Sequence, residues 1–89
     1  MAETIRVRDH VRSVIDPDGA VLLDLRAGTY LSLNVVGAEI WTRLEKGLSP
    51  GEIAAHLGEA YQLPAQQAEA DVRGFLDQLR RRELIDAVD

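Results

Sequence analysis

The spacing of apolar residues changes period once along this chain, at Asn34, and that single change fixes the kind of fold available to it. Before Asn34 the apolar residues tend to recur at every second position, the repeat of a β-strand. After it they recur at every third or fourth, the repeat of an α-helix. A chain patterned this way places a small sheet first and packs helices on it afterwards. With 89 residues there is room for one modest core, because a domain of this size hides only about 60% of the surface its unfolded chain exposes.

Turn residues divide the first part into three strands. Val11 to Ile15 is mostly β-branched and runs into Asp16-Pro17-Asp18-Gly19. There proline presets φ and glycine supplies the left-handed exit of a tight turn. Ala20 to Leu25 follows, then a second turn at Arg26-Ala27-Gly28, then Thr29 to Leu33. Val21, Leu23 and Leu25 share one face, as do Thr29, Leu31 and Leu33; Leu31 and Leu33 are assigned to the core. The strands form an antiparallel meander, and Ile5 to Arg8 offers a weaker fourth segment.

Three helices follow. Asn34 is a good N-cap for the first, whose stripe is Val36, Ile40, Trp41 and Leu44 before Gly47. Ser49-Pro50-Gly51-Glu52 is a capping box with proline at the first helical position. It opens a helix whose stripe is Ile53, Leu57, Ala60 and Tyr61. The third helix runs from near Pro64 to about Arg82 with Ala68, Val72, Phe75, Leu76 and Leu79 on one side, and Leu84 and Ile85 make a short apolar tail. The expected fold is α+β and winged helix-turn-helix-like: a three-stranded antiparallel sheet followed by three helices. The third strand lies at the edge of the meander and presents unpaired N–H and C=O groups unless a helix covers it.

Charge and composition narrow the function. Ten basic and 15 acidic residues give a net charge of −5. Residues 1–48 carry −1 and residues 49–89 carry −4. Gripping a nucleic-acid backbone needs the opposite sign. Arg73, Arg80, Arg81 and Arg82 lie on the third helix, but Glu69, Asp71, Asp77 and Glu83 interleave with them. The three consecutive arginines also sit where the helix macrodipole favours cations. No apolar run approaches the roughly 20 residues that span a bilayer, and Met1 to His10 has no signal-peptide centre. The expected location is the cytoplasm.

The chemical inventory is sparse. With no cysteine there is no disulfide, thiolate metal site or cysteine nucleophile. His10 and His56 belong to no spaced ligand set, and none of Ser13, Ser32 and Ser49 sits in a nucleophile-elbow context. Gly19, Gly28 and Gly47 read as turn and cap residues rather than a phosphate loop. The expectation is a protein that is not an enzyme, with no catalytic residue, cofactor or metal. Trp41, Tyr61 and Phe75 have the spacing of packing residues. Tyr30 points away from Leu31 and Leu33, so it either covers helix surface or stands beside a ligand groove.

The stretch Val21-Leu22-Leu23-Asp24-Leu25-Arg26-Ala27-Gly28-Thr29-Tyr30-Leu31-Ser32-Leu33-Asn34 resembles the signature of PqqD-like proteins, and more narrowly that of lasso-peptide B1 proteins. The likeness continues through Gly37 and Ala38, through Ala70-Asp71-Val72, and through Leu76, Leu79 and Leu84. It covers roughly residues 11–86, nearly the whole chain, and it is the order and spacing of these soft motifs that make it specific. Leu25 and Leu31 depart from the pattern, being apolar where many relatives carry polar or aromatic residues, and this bears on leader preference.

The resemblance implies a RiPP recognition element, the module that binds the leader of a ribosomally synthesised and post-translationally modified peptide. The whole chain, 1–89, would be one such domain. The leader would dock as an added antiparallel strand on the third strand, in a groove bounded by the third helix. Carried onto this chain, the strand wall is Thr29, Tyr30, Leu31, Ser32 and Leu33. The helix wall is drawn from Asp71, Val72, Phe75, Leu76, Leu79 and Arg80, with Phe75 and Leu79 the first choices for groove contacts and Arg80 placed to pair with a leader carboxylate. The implied partners are the precursor leader peptide, a separate B2-type cysteine protease that removes the leader, and the macrolactam-forming cyclase; no nucleic acid or membrane is implied. Three rivals stand beside this: a PqqD-type peptide chaperone serving another modifying enzyme, a small winged-helix DNA-binding regulator, and an interaction domain whose edge strand is covered by a dimer mate.

Overall fold

A computed structural model describes residues 4–88. The elements run β1 (Thr4–Val7), β2 (Val11–Asp16), β3 (Gly19–Asp24), β4 (Thr29–Leu33), α1 (Val35–Glu45), α2 (Pro50–Tyr61), α3 (Ala65–Arg81) and β5 (Ile85–Val88). The expected meander is the antiparallel sheet β2-β3-β4. Both of its turns are tied by aspartates. Asp16 Oδ1 accepts from the Asp18 N–H at 2.8 Å, and Asp24 Oδ1 accepts from the Arg26 and Ala27 N–H groups at 3.0 Å each. Gly19, at φ +152°, is required for a further reason: a Cβ there would collide with the Leu33 carbonyl oxygen on the neighbouring strand.

The first two helices start where the capping residues place them. Asn34 Oδ1 accepts from the Gly37 N–H at 2.8 Å. The Ser49–Glu52 capping box closes in both directions, at 3.2 Å and 2.9 Å. No helix among the described residues is long and apolar enough to cross a membrane.

The tail and the first segment differ from the sequence expectation. Leu84 and Ile85 are buried, and the residues from Ile85 onward form a strand that pairs antiparallel with β1, Val7 opposite Ile85 and Arg6 opposite Asp86. Arg6 and Arg8 both reach the Asp86 carboxylate at 3.2 Å. The chain ends thus make a second, two-stranded sheet packed on α1 and α3. Each strand alone is too short to show a period, and only the pairing makes them legible.

The core joins both sheets to all three helices. Trp41, Leu22, Ile40, Ile53, Leu57, Leu79 and Val72 are its most enclosed side chains. On β3 the face turned inward is Ala20, Leu22 and Asp24, so Leu23 and Leu25 of the shared apolar face point to solvent and Val21 is half-buried on that side. On α2 the buried stripe is Ile53, Ala54 and Leu57. Ala60 and Tyr61 are exposed, and the Tyr61 hydroxyl donates to Glu39 Oε2 at 3.0 Å instead of packing inside.

Candidate functional site

β4 pairs with β3 on one side only, so its other side is an open edge. Which of its backbone groups face outward follows from the ladder. In an antiparallel sheet each residue turns its N–H and C=O to the same neighbour, and successive residues alternate. The Leu25 N–H donates to the His10 carbonyl at 2.9 Å, so Leu25, Leu23 and Val21 bond toward β2. Leu22 and Ala20 therefore bond toward β4, where they lie opposite Leu31 and Leu33. The close approach of the Leu33 carbonyl oxygen to Gly19 agrees with this assignment. Tyr30 and Ser32 are left with N–H and C=O groups directed away from the sheet.

Side chains alternate in the other sense. Leu31 and Leu33 are half-buried against the core, whereas Thr29, Tyr30 and Ser32 are exposed. Facing the open edge is α3, which runs in the opposite direction to β4. Near the end of β4, a hollow is lined by Ser32, Leu33, Gly37, Asp71, Phe75 and Gln78. Near its start, a second hollow is lined by Asp24, Ala27, Tyr30, Leu31, Arg82 and Leu84. The residues of α3 and its C-cap in the two hollows are Asp71, Phe75, Gln78 and Arg82, spaced i, i+4, i+7 and i+11, which continues one stripe of the helix. Phe75 is half-buried, and its ring packs close against α1, 3.4 Å from where a Cβ on Gly37 would stand.

The sequence-derived helix wall divides between two sides of α3. Asp71 and Phe75 lie in the furrow beside β4. Val72 and Leu76 are buried at 2% and 3% exposure, and together with Arg80 they line a different furrow, between α2 and α3. Arg80 there approaches Asp77 Oδ1 at 3.5 Å. Leu79 has no exposed surface and belongs to the core. Most apolar residues on α3 face inward, so hydrophobicity alone does not distinguish the furrow beside β4; stepping along the helix from Asp71 and Phe75 leads to Gln78 and Arg82. Asn34 and Ala27, which flank β4 in the chain, and Gly37 on α1 are further lining residues.

The inner end of β4 is electrostatically fixed. Asp24 is 8% exposed, and its carboxyl is held below its usual pKa, first by the Ala27 N–H, then by the Arg26 N–H and by nearby His10 and Arg26, with burial opposing. His10 Nε2 lies 3.7 Å from Asp24 Oδ1. Arg26 also reaches Glu83 Oε2 at 2.9 Å, tying the β3–β4 turn to the end of α3. Among the described residues no group of three histidines and carboxylates is placed to hold a metal ion. The arrangement offers hydrogen-bonding backbone and hollows of mixed apolar and polar lining, a set suited to holding an extended peptide.

Residues 19–85 match the family described as coenzyme PQQ synthesis protein D (PqqD). Three solved structures share the fold across most of their length. TbiB1, solved in complex with the TbiA(beta) leader peptide, is 38% identical, with 91% of this chain and 94% of that chain covered and a TM-score of 0.87. A lasso peptide synthetase B1 complexed with its leader peptide is 32% identical, with 96% and 98% covered and a TM-score of 0.81. The PqqD truncation of Methylobacterium extorquens PqqCD, described as a functional and stand-alone RiPP recognition element, is 21% identical, with 93% and 88% covered and a TM-score of 0.76; it speaks to the fold alone. No curated protein matches the sequence.

Proposed function

Because the chain belongs to the PqqD family, we propose that it is a non-catalytic leader-peptide-binding protein of a lasso-peptide pathway, acting through all of its elements as one unit. The leader segment of a precursor peptide adds as a strand to β4. The observation that carries this is the open β4 edge, with the backbone of Tyr30 and Ser32 turned outward alongside the Asp71, Phe75, Gln78 and Arg82 stripe of α3. Main-chain bonds at Tyr30 and Ser32 supply affinity that tolerates sequence change. The two hollows supply selectivity by taking alternate side chains of the peptide. The lasso assignment rests on the two B1 relatives, which are nearer in sequence than the PqqD truncation.

In this reading the chain presents the held leader to a separate leader peptidase and then to the macrolactam-forming cyclase. Its contribution is effective concentration, since a held leader makes the encounter of enzyme and cleavage site intramolecular. A duplex-binding role is disfavoured by the net charge of −5. The test is fluorescence polarisation with a labelled leader peptide, from the precursor gene neighbouring this chain's own, at two salt concentrations. Saturable binding that persists at the higher salt and is lost when the leader's apolar residues become alanine is expected. Salt-sensitive binding of a duplex probe, with no binding of the leader, would overturn the proposal.

A further inference from the structure

The furrow beside β4 carries an exposed charge at each end, and the two are of opposite sign. Asp71 lines the hollow at the end of β4, beside Ser32, Leu33 and Phe75. Arg82 lines the hollow at its start, beside Thr29, Tyr30 and Leu31. Neither side chain makes a hydrogen bond or an ion pair with a described residue. The nearby charges are engaged elsewhere: Asp77 lies 3.5 Å from Arg80, and Glu83 holds Arg26 at 2.9 Å. Arg73 and Arg80 line the other furrow, on the α2 side of the helix. Asp24 shares the second hollow with Arg82, but it is buried and its carboxylate accepts the N–H groups of its own turn.

The direction of a bound strand decides which of its ends meets which charge. The β2-β3-β4 sheet is antiparallel throughout, and a strand that continues the pattern runs opposite to β4, hence in the same direction as α3. Its N-terminal part then passes Asp71 and its C-terminal part passes Arg82. At 1.5 Å per helical residue the two charges stand about 16 Å apart along α3. Side chains on one face of a strand recur about every 6.8 Å, so peptide positions i and i+4 span about 14 Å, and the long arginine side chain covers the remainder. Position i+2 falls between them, over Phe75. Resting on the peptide-binding function proposed above, we infer that Asp71 and Arg82 select the charge order of the leader. Read from N- to C-terminus, that order is a lysine or arginine, an apolar residue two positions later, and an aspartate or glutamate two positions after that. The two pairs fix what main-chain bonds leave open. A two-residue slip keeps the same side chains facing inward but unpairs the charges, and a reversed peptide sets like charge against like at both ends.

The test exchanges charge on both partners. The probe is the labelled leader peptide encoded by the precursor gene neighbouring this chain's own. Its affinity for wild type, Asp71→Lys and Arg82→Glu is read by fluorescence polarisation at low and high salt, beside a melting curve for each protein. The inference expects this leader to carry the stated order, and each variant to bind it about 10-fold more weakly at low salt, by a margin that narrows at high salt. Reversing the facing charge on the peptide should recover most of the loss: acid to lysine for Arg82→Glu, cation to glutamate for Asp71→Lys. The crossed combinations should recover nothing. Should a reversal variant unfold, Asp71→Asn or Arg82→Gln takes its place, with an expected loss of about 3-fold. A leader that binds without the charge order, wild-type affinity in the folded variants, or recovery by the wrong peptide reversal would overturn the inference. Wild-type protein that binds no leader would instead remove the function on which the inference rests.

Discussion

Asp24 holds the start of β4 in place through both its side chain and its backbone. Its carboxylate accepts two turn N–H groups, and its carbonyl accepts from the Gly28 N–H at 2.8 Å. Since the folded pKa lies below the ordinary value of 3.8, the stabilisation is complete above that pH and is lost as pH falls through the lowered folded value. Asp24→Ala is expected to lower the melting temperature at neutral pH, by a difference from wild type that narrows as acid protonates the native carboxylate. Thermal melts across the acid range check this, and a pH-independent difference would contradict it. Asp24→Asn keeps an oxygen able to accept the turn bonds and should fall between the two. Phe75 carries the second residue-scale prediction. As an aromatic anchor in the furrow, Phe75→Ala should cost about 2 kcal/mol of leader binding, roughly 30-fold in affinity. Wild-type affinity in a folded variant would remove Phe75 from the peptide contact. Phe75 was visible in the sequence because it is the one aromatic on α3. Gln78 and Arg82 were not, because a polar side chain on a charged helix carries no mark of the surface it faces.

At the scale of elements, the parity of β4 gives an opposed pair of variants. Proline at Ser32 removes an outward N–H that bonds nothing within the sheet, whereas proline at Leu31 removes a bond to β3. Ser32→Pro should fold and bind leader at least 10-fold more weakly, a loss of about 1.4 kcal/mol; Leu31→Pro should lose stability first. Polarisation alongside melting curves separates the two, and equal tolerance at both positions would argue against strand addition. The end of α3 gives another prediction. Glu83 sits in the left-handed region at φ 60°, where its N–H donates to the Arg80 carbonyl and the Leu84 N–H donates to the Leu79 carbonyl. This is the terminating geometry that glycine favours. Glu83→Gly should raise stability by up to about 1 kcal/mol, relief of the strained φ outweighing loss of the exposed pair with Arg26. A lowered melting temperature would mean that the Arg26 pair matters more. The stop of α3 near Arg82 is legible in its apolar stripe, whereas with no glycine after it nothing local marks the strand that follows. α1 and α2, by contrast, announce themselves through Asn34 and the Ser49–Glu52 box, whose chemistry is local.

For the whole molecule, the order of elements and the open edge followed from features that act over a few residues: the change of apolar period, two aspartate-tied turns and two caps. What sequence could not supply were the contacts between distant segments. The pairing of β1 with β5 joins the two ends of the chain, and the inward face of β3 is set by packing under Leu22 rather than by the longer stripe of Val21, Leu23 and Leu25. The division of α3 into a core face, an α2 face and a β4 face is likewise a property of the assembled fold. The resemblance carried by Val21 to Asn34 indicated a peptide on the edge, and the ladder then identifies which two residues would receive it. The most direct measurement is amide hydrogen exchange by NMR with and without saturating leader peptide. Strand addition predicts that the Tyr30 and Ser32 amides, unbonded within the sheet, become protected on binding, while Leu31 and Leu33 are slow in both states. Saturable binding that leaves the exchange of Tyr30 and Ser32 unchanged would place the peptide elsewhere and contradict the account.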